Sequence, residues 1–352
     1  MIDYQFPVRK VLVTGGGGFI GGSLIRMLLK NTNFKIFNLD KLGYASNLDS
    51  INNLITSKKI SHKRYHFIHA NLVNSNAIKE AISLSDPDLV FNLAAESHVD
   101  KSISNPKNFI QSNIIGTYNL LEALKFHWLK LSSERKSQFK LLHISTDEVF
   151  GSLESNDLFS ESSRYNPRSP YSATKAASDH LVRAWHYTYG LPILITNASN
   201  NFGPWQFPEK LIPITIFNGI SNNSINIYGD GLNIRDWIFV EDHTRFLLRV
   251  MLKGRIGETY CIGGGQQKNN NEIVELICEL LDRKLKSNAP HIRLKTFVPD
   301  RPGHDKKYGI DNKKLINEIG CVNYTDFNVA MNLTVDWYLN NMDWCKNIMR
   351  LI

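Results

Sequence analysis

Two acidic residues stand side by side at the end of an apolar segment. The stretch "HISTDEVFG", His143 to Gly151, places Asp147 and Glu148 directly after Thr146. Adjacent charges at the end of a buried strand are costly unless something pairs with them. The two carboxylates are therefore either solvated in a loop or held for proton transfer, and the stretch alone leaves both readings open.

A tyrosine and a lysine form a second candidate pair. "YSATK" places Tyr171 and Lys175 four residues apart, hence on one face of a helix that we predict to run to about Tyr189. The pKa of a phenol is about 10 in water, and a neighbouring ammonium would lower it. Tyr171 could then act as acid and base toward a sugar or alcohol hydroxyl, whereas the same spacing on a surface helix would have no such role.

A glycine-rich turn supplies the third candidate site. "VTGGGGFIGG" follows the first apolar segment and fits GxGxxG through Gly16, Gly18 and Gly21, and a related spacing through Gly15. Glycines let the backbone approach a pyrophosphate, which binds at the positive end of the following helix. The turn predicts a dinucleotide site.

The second apolar segment ends in Asp40, at the spacing expected for a carboxylate that binds a ribose. An acid at this position repels a 2′-phosphate, so we predict NAD rather than NADP as the cofactor. Lys41 beside it weakens that preference. With a dinucleotide at the active site, the positive nicotinamide would also help to lower the pKa of Tyr171.

The elements that must position these residues alternate along the chain. Apolar segments of strand length, "KVLVTG", "KIFNLD", "YHFIHANL", "LVFNLAA", "FKLLHIST" and "PILITNAS", are separated by amphipathic stretches. This alternation predicts an α/β fold with a Rossmann-type, doubly wound parallel sheet. After Ser199, "NNFGPWQFPEKLIP" breaks the pattern and begins a smaller α/β substrate-binding lobe.

We expect "RDWIFVEDHTRFLLRVM" and "ETYCIGG" to return to the sheet. The predicted NAD-binding domain thus covers residues 1–199 and about 232–262. The predicted nucleotide-sugar lobe covers 200–231 and 263–352.

Composition excludes several classes of function. The chain has 352 residues, a net charge of +8 and no long basic run, so we expect no nucleic-acid partner. "MIDYQFPVRK" lacks the apolar run of a signal peptide and no later segment could span a membrane, which predicts a cytoplasmic protein without a membrane partner. Four widely spaced cysteines predict buried reduced thiols rather than a metal site.

Eight strings in order extend these motifs: "TGGGGFIG", "LDKLGYASN", "NLAAESHVDKSI", "STDEVFG", "YSATK", "SNNFGPWQFPEKLIP", "IRDWIFVEDH" and "DRPGHDKKY". From about Lys10 to about Asp311 the chain resembles the dTDP-glucose 4,6-dehydratases, which belong to the extended short-chain dehydrogenases. The resemblance implies that the sugar is oxidised at C4 with NAD, loses water across C5 and C6, and receives the hydride back at C6. The product, dTDP-4-keto-6-deoxyglucose, would feed deoxysugar synthesis, for example of rhamnose.

The resemblance also assigns roles to the catalytic residues. It implies that Glu148 takes the C5 proton, Asp147 protonates the departing C6 hydroxyl, and Thr146 bonds the C4 oxygen alongside Tyr171, with Lys175 as the partner of the tyrosine. An aspartate with an ordinary pKa is ionised at neutral pH, so Asp147 needs a raised pKa from burial and its carboxylate neighbour. Successive strand residues point to opposite faces, so the chain must turn or bulge at Asp147.

The remaining site residues also follow from the resemblance. The NAD site would comprise Gly15, Gly18, Phe19, Ile20, Gly21, Asp40, Lys41, Asn71, Leu72, Leu93, Ala94, Ala95, Ser97, Ser112, Tyr171, Lys175 and Asn201. The substrate site would comprise Ser97, Thr146, Asn200, Lys210, Leu211, Tyr228, Arg235, Asn270, Arg301 and His304. Arginine forks suit a diphosphate, and Tyr228 could stack on the pyrimidine.

Some positions depart from the family pattern. Asn71 stands where an aspartate is usual, although its amide oxygen can still accept a hydrogen bond from adenine. Asn226 replaces a usual proline beside Tyr228, which leaves UDP-glucose open as a substrate. "GQQKN", residues 265–269, also differs, and Asn270 follows it directly.

Two other functions share parts of these motifs. A nucleotide-sugar epimerase or decarboxylase would keep the glycines and the tyrosine but would not need both Asp147 and Glu148, and GDP-mannose dehydratases typically keep only the glutamate. A non-catalytic NAD-binding regulator would not need the intact catalytic set.

The resemblance further implies a homodimer that pairs through helices near Pro106 to Trp128 and Ser172 to Tyr189. The apolar residues Ile110, Ile114 and Leu121 would lie in that interface or in the core.

Overall fold

The computed structural model describes residues 9–154, 157–321 and 323–349. The strands are β1 (Lys10–Thr14), β2 (Lys35–Asp40), β3 (Tyr65–His69), β4 (Leu89–Asn92), β5 (Lys140–Thr146), β6 (Ile193–Ala198), β7 (Asn200–Phe202), β8 (Ile225–Tyr228), β9 (Ile234–Phe239), β10 (Thr259–Ile262), β11 (Gln267–Asn269) and β12 (Lys295–Val298). The outermost parts of the two predicted domains, residues 1–8 and 350–352, and most of "MIDYQFPVRK" lie outside the described residues.

The helices are α1 (Phe19–Asn31), α2 (Asp49–Ser57), α3 (Ser75–Ser85), α4 (Val99–Ser104), α5 (Pro106–Phe109), α6 (Gly116–Lys130), α7 (Ser133–Gln138), α8 (Pro170–Tyr189), α9 (Leu211–Ile220), α10 (Val240–Lys253), α11 (Asn270–Lys284), α12 (Lys313–Ile319), α13 (Phe327–Asn340) and α14 (Met342–Met349). A π-helical turn, Ile110–Ile115, joins α5 to α6.

Seven parallel strands form the central sheet in the order β10-β6-β5-β4-β1-β2-β3. Its strands are buried on both faces, as the near-continuous apolar runs predict, except for the edge strand β3, in which His66 and His69 are exposed. Leu24 of α1 and Phe246 of α10 pack in the core on one face, and Ile78 of α3, Leu120 of α6 and Val182 of α8 pack in the core on the other. The predicted Rossmann-type doubly wound sheet is confirmed.

The smaller lobe has its own core, formed by apolar residues of α9, α11 and α13. Two small sheets accompany it, one in the order β11-β9-β7 and one that pairs β8 with β12. The predicted domain bounds stay a prediction.

The prediction that "RDWIFVEDHTRFLLRVM" returns to the central sheet is wrong for its strand. β9 pairs with β7 and β11, because β10 already occupies the edge beside β6. The helix that follows, α10, packs on the central sheet, and Ile238 of β9 contributes to the same core. "ETYCIGG" does return to that sheet, as β10.

Three smaller expectations have mixed outcomes. Cys261, Cys278 and Cys345 are buried as predicted, but Cys321 is exposed, because it follows α12 in a surface loop; none of the four is in a disulfide. Leu121, on α6, is fully buried in the core, which was the predicted alternative to a place in the dimer interface. Among the described residues, no helix combines the length and apolarity of a membrane span.

Candidate active site

A single cleft of about 640 Å³ opens at the carboxyl ends of the central strands and is closed on its other side by the smaller lobe. This is where parallel α/β sheets bind ligands. The cleft is lined by every residue that we predicted for catalysis, NAD and substrate. The structure therefore brings together segments that span Gly15 to His304.

The turn between β1 and α1 uses its glycines in two ways. Gly15 has φ +72°, and a Cβ there would lie 2.6 Å from the backbone nitrogen of Ala94. A Cβ at Gly21 would lie 2.2 Å from the carbonyl oxygen of Gly15, so both glycines are required for packing within the protein. At Gly18 a Cβ would meet only that carbonyl, at 3.3 Å, among the described residues. The missing side chain of Gly18 leaves space in the cleft itself, as a pyrophosphate requires.

We expect Gly18→Ala to lose NAD without losing the fold. Gly18 has φ −80°, which alanine adopts readily, and its Cβ would point into the cleft. The measurement is the NAD released per chain on denaturation, together with the melting temperature of the NAD-free protein. Gly21→Ala is the matched contrast and should lower the melting temperature because of its backbone clash. Wild-type NAD content in Gly18→Ala would contradict the assignment.

Asp40 ends β2 with its carboxylate held by backbone groups. Oδ2 accepts a hydrogen bond from the nitrogen of Gly17 at 2.9 Å, and Oδ1 accepts one from Leu42 at 2.7 Å. The neighbouring Lys41 is paired with a second acid, because its Nζ lies 2.5 Å from Oε1 of Glu96. Its charge is thus shared with a carboxylate of the protein, and the preference of Asp40 for NAD over NADP stays as the sequence predicts.

Two amides of the predicted NAD set are engaged by the protein. Oδ1 of Asn71 accepts a hydrogen bond from the nitrogen of Val73 at 3.1 Å, which leaves one lone pair for a ligand. Oδ1 of Asn201 lies 2.8 Å from Nδ1 of the buried His243. Asn201 therefore lines the cleft, and the contact with His243 fixes the orientation of its amide.

The chain turns where the two carboxylates require it. β5 ends at Thr146, and Asp147–Phe150 form one turn of 3₁₀ helix. The Thr146 hydroxyl caps this turn, because it accepts a hydrogen bond from the nitrogen of Glu148 at 3.3 Å. Because the strand ends at this point, Asp147 and Glu148 both line the cleft instead of alternating across the sheet. The expected turn at Asp147 is confirmed.

The two carboxyl groups have different electrostatic surroundings. Asp147 is 1% exposed; burial first, and then the charges of Glu148 and Asp236, raise its pKa well above the ordinary value. Burial also raises the pKa of Glu148, but Arg301, Lys210 and Arg235 all act to lower it. This suits Asp147 to donate a proton and Glu148 to accept one. The raised pKa expected for Asp147 is confirmed.

Tyr171 and Lys175 lie on the inner face of α8, as predicted. Pro170 occupies the first turn, and Ser169 and Ser172 form a capping box that fixes where the helix begins. Tyr171 is 8% exposed and Lys175 is 4% exposed.

The prediction that Lys175 lowers the pKa of Tyr171 is wrong for the protein's own groups. Burial, followed by the charge of Glu148, raises this pKa well above 10. The ammonium of Lys175 is instead directed to the carbonyl oxygen of Ile144, at 2.8 Å. Among the protein's own groups, the hydrogen bond with Thr146 acts to lower this pKa, and a positive charge within the cleft would add to it.

Arg235 is held rigidly at the substrate end. Its guanidinium lies 4.3 Å from the ring centroid of Tyr308, and NH2 donates a hydrogen bond to the carbonyl oxygen of Asp305 at 2.9 Å. The group is 6% exposed. It is therefore a preorganised cation, of the kind that binds phosphate oxygens.

A carboxylate that sequence reasoning missed links the two sides of the cleft. Asp100, in α4, accepts hydrogen bonds at 3.2 Å from the hydroxyl of Tyr228 and from NH1 of Arg301. On the same side, Nζ of Lys210 donates to the carbonyl oxygen of Ser97 at 2.8 Å. Groups predicted to hold the nucleotide are thus already oriented by the NAD-binding half.

Asp236 and Tyr308 were missed as well. Burial raises the pKa of Asp236 to about 6, and its charge acts on Asp147. Both residues lie within the quoted strings "IRDWIFVEDH" and "DRPGHDKKY", as Asp100 lies within "NLAAESHVDKSI". No spacing rule identifies them, because their partners come from distant segments.

Comparison with known proteins agrees with this arrangement. The family model described as GDP-mannose 4,6 dehydratase matches residues 12–333. The dTDP-glucose 4,6-dehydratase of Escherichia coli is 47% identical over 353 residues, which cover 97% of this chain and 96% of that protein. The enzyme of the same name from Neisseria meningitidis is also 47% identical, with 97% of this chain and 96% of the relative covered.

Solved structures with the same fold include relatives with the cofactor bound. A double mutant of the dTDP-glucose 4,6-dehydratase from Streptomyces venezuelae, solved with NAD, has a TM-score of 0.87 and 35% identity, covering 96% of this chain and 99% of that one. The dTDP-glucose 4,6-dehydratase from Bacillus anthracis, in complex with NAD, has a TM-score of 0.83 and 37% identity over the same shares. This chain belongs to the dTDP-glucose 4,6-dehydratase family.

Proposed function

We propose that this protein uses bound NAD to convert dTDP-glucose to dTDP-4-keto-6-deoxyglucose. The observation that carries the proposal is the pair Asp147 and Glu148 on one turn beside Tyr171, in the same cleft as the glycine turn. An epimerase on this fold needs the tyrosine and the dinucleotide but has no step for two further proton-transfer groups. NAD, when bound, accepts hydride from C4 of the sugar and returns it to C6.

The first task of the chain's residues is to move the proton of the C4 hydroxyl. Tyr171 takes this proton, and the Thr146 hydroxyl, which also lines the cleft, bonds the C4 oxygen. The resulting C4 ketone acidifies the hydrogen at C5. A carboxylate can then remove it.

The second task is the elimination of water. Glu148 takes the C5 proton, and Asp147 gives its proton to the C6 hydroxyl, which leaves as water. Burial favours the neutral form of both carboxyl groups, but at Glu148 the cations Arg301, Lys210 and Arg235 act against it. When C6 is reduced, Glu148 can return its proton to C5. Tyr171 then still holds the proton from the C4 hydroxyl and Asp147 lacks one, so net transfer of one proton from Tyr171 to Asp147, through solvent, restores the starting state.

The third task is to hold the nucleotide. Arg235 and Arg301 flank the same end of the cleft and suit the diphosphate, and Tyr228, 40% exposed, offers a ring face to the pyrimidine. Asn226 lies on the same strand and also lines the cleft, so UDP-glucose is the alternative substrate.

Incubation with dTDP-glucose, UDP-glucose, CDP-glucose and GDP-mannose, followed by product mass, tests the proposal. The expected result is loss of one water molecule from dTDP-glucose, at the highest kcat/KM of the four. Because the hydride is returned within one cycle, no free NADH should accumulate. A product of unchanged mass would instead indicate an epimerase, and accumulating NADH a simple dehydrogenase.

We also propose a cytoplasmic homodimer that pairs through the helices α6 and α8. Ile110, Tyr118 and Phe126 on the first helical run are 46%, 43% and 54% exposed, which is unusual for three large apolar side chains within one helical run. Light scattering should give twice the mass of the chain. Phe126→Asp should shift the protein toward a monomer, and a wild-type monomer at every concentration would remove the proposal.

The product is a ketosugar, which a deoxysugar pathway, such as that of rhamnose, would consume.

A further inference from the structure

A carboxylate that none of the proposed steps uses lies directly behind Lys175. Asp179 is fully buried and follows Lys175 by one turn of α8, as Lys175 follows Tyr171. Residues four apart share a helix face, so the three form one row against β5. A buried charge in this position calls for a reason, because burial disfavours the ionised form.

The contacts of Asp179 keep it ionised. Oδ2 accepts hydrogen bonds from the hydroxyls of Ser145 and Tyr165, each at 2.8 Å. Oδ1 lies 3.3 Å from Nε2 of His143. Burial alone would raise the pKa of Asp179, but His143, Lys175 and Ser145 together hold that pKa below its ordinary value.

The hydrogen bonds of His143 define where its proton lies. Nδ1 is 2.9 Å from Nδ2 of Asn92, and the Asn92 amide is oriented by the hydroxyl of Thr14, which donates to Oδ1 at 2.6 Å. An amide nitrogen only donates, so Nδ1 accepts, and the neutral ring carries its proton on Nε2, toward Asp179. Burial, followed by the charge of Lys175, lowers the pKa of His143 to about 4. The imidazole is therefore neutral at neutral pH and does not cancel the charge of Asp179.

Lys175 depends on that charge. Its Nζ donates to the carbonyl oxygen of Ile144 at 2.8 Å, a neutral partner on β5. Burial lowers the pKa of Lys175 to about 8, and Asp179 acts in the opposite direction. The other cation of the row, Arg183, is engaged elsewhere, because its NH2 donates to the hydroxyl of Tyr165 at 2.8 Å.

We propose that Asp179 is a positioning residue that keeps Lys175 as an ammonium against β5 and so supports proton transfer by Tyr171. The inference rests on the proposed function for the role of Tyr171. The titratable groups packed around this row are Tyr171, Lys175, Asp179 and Arg183 on α8, His143 on β5, Tyr165 before α8, and Asp147 and Glu148 on the turn after β5. Of the three carboxyl groups, Asp179 alone lies behind Lys175 and outside the cleft, since Asp147 and Glu148 both line it.

The test is the pH dependence of C4 oxidation in the Asp179→Asn holoenzyme, followed as NADH absorbance in a single turnover with dTDP-glucose. Removal of the anion lowers the pKa of Lys175 further, so the ammonium is lost at a lower pH. The alkaline limb of the rate profile should move to lower pH by about one unit or more, so that the rate loss approaches roughly tenfold at pH values above the wild-type limb and is recovered on acidification. Asp179→Glu, which keeps the charge, should restore the limb.

Asp242→Asn is the matched control. Asp242 is a buried carboxylate on α10 that bonds Thr325 and lies outside the cleft, so its variant should keep the wild-type profile. If Asp179→Asn does not fold, Asp179→Ser removes the same charge with a smaller side chain that can still accept hydrogen bonds from Ser145 and Tyr165, and it should move the limb in the same direction. Profiles of the folded variants that superimpose on that of wild type would overturn the proposal. Dehydration by wild type in the same assay separates this outcome from failure of the proposed function.

Discussion

Replacing Tyr171 by phenylalanine is expected to stop the reaction before any NADH forms. Tyr171 is the only residue to which the proposed sequence of steps gives the C4 hydroxyl proton, and loss of a positioned acid or base typically costs about 10²- to 10⁴-fold in rate. The buried side chain loses one oxygen and keeps its ring, which packs edge-on against Phe109 with centroids 6.4 Å apart. The fold and NAD content should therefore be retained.

Stopped-flow absorbance of NADH with dTDP-glucose measures this effect directly. Tyr187→Phe is the matched control, since Tyr187 lies on the same helix but is 80% exposed. Its rate should equal that of wild type. NADH formation at near wild-type rate in Tyr171→Phe would assign the C4 proton to another group.

The sequence predicts the parts of this molecule that local patterns encode. The six apolar segments became six neighbouring strands, and the glycines, Asp40 and the helix that begins at Pro170 lie where their spacing indicates. The placement of β9 was missed, because an apolar run shows that a strand is buried without showing which edge is free. That edge beside β6 was taken by β10, which comes later in the chain.

The electrostatics of the site could not be predicted from neighbours in sequence. Tyr171 has a raised pKa because burial and Glu148 outweigh Lys175, whose ammonium is directed to Ile144. Asp100 and Arg301, which meet at 3.2 Å, are 201 residues apart. Contacts of this kind depend on how the smaller lobe packs over the central sheet. The periodicity of apolar residues within either segment does not predict that packing.

The difference in environment between Asp147 and Glu148 implies that each can be disabled separately. Asp147 is buried beside two other carboxylates, whereas Glu148 is surrounded by three cations. Both side chains are of similar size to their amides, so Asp147→Asn and Glu148→Gln should fold, bind NAD and bind dTDP-glucose. Neither change removes a group that the C4 oxidation uses. In both variants the C4 oxidation should therefore proceed, and the elimination of water should not.

Glu148→Gln is expected to form NADH on the enzyme and then stop, with overall turnover lowered about 10²- to 10⁴-fold. Exchange of the C5 hydrogen with deuterated water should fall by a similar factor, because the base is gone. The charge of Glu148 also raises the pKa of Tyr171, so its loss lowers that pKa and should move the oxidation step toward lower pH. Oxidation at neutral pH should thus be at least as fast as in wild type.

In Asp147→Asn the reaction is also expected to stop after C4 oxidation, but for a different reason. An amide cannot protonate the departing C6 hydroxyl, so NADH should again accumulate on the enzyme and turnover should fall about 10²- to 10⁴-fold. Glu148 remains, and C5 exchange should continue at a rate close to that of wild type. Exchange measured by NMR in deuterated water, alongside NADH absorbance, separates the two variants. If both turned over normally, the two carboxylates would have no part in the elimination, and the proton transfers at C5 and C6 would belong to other groups.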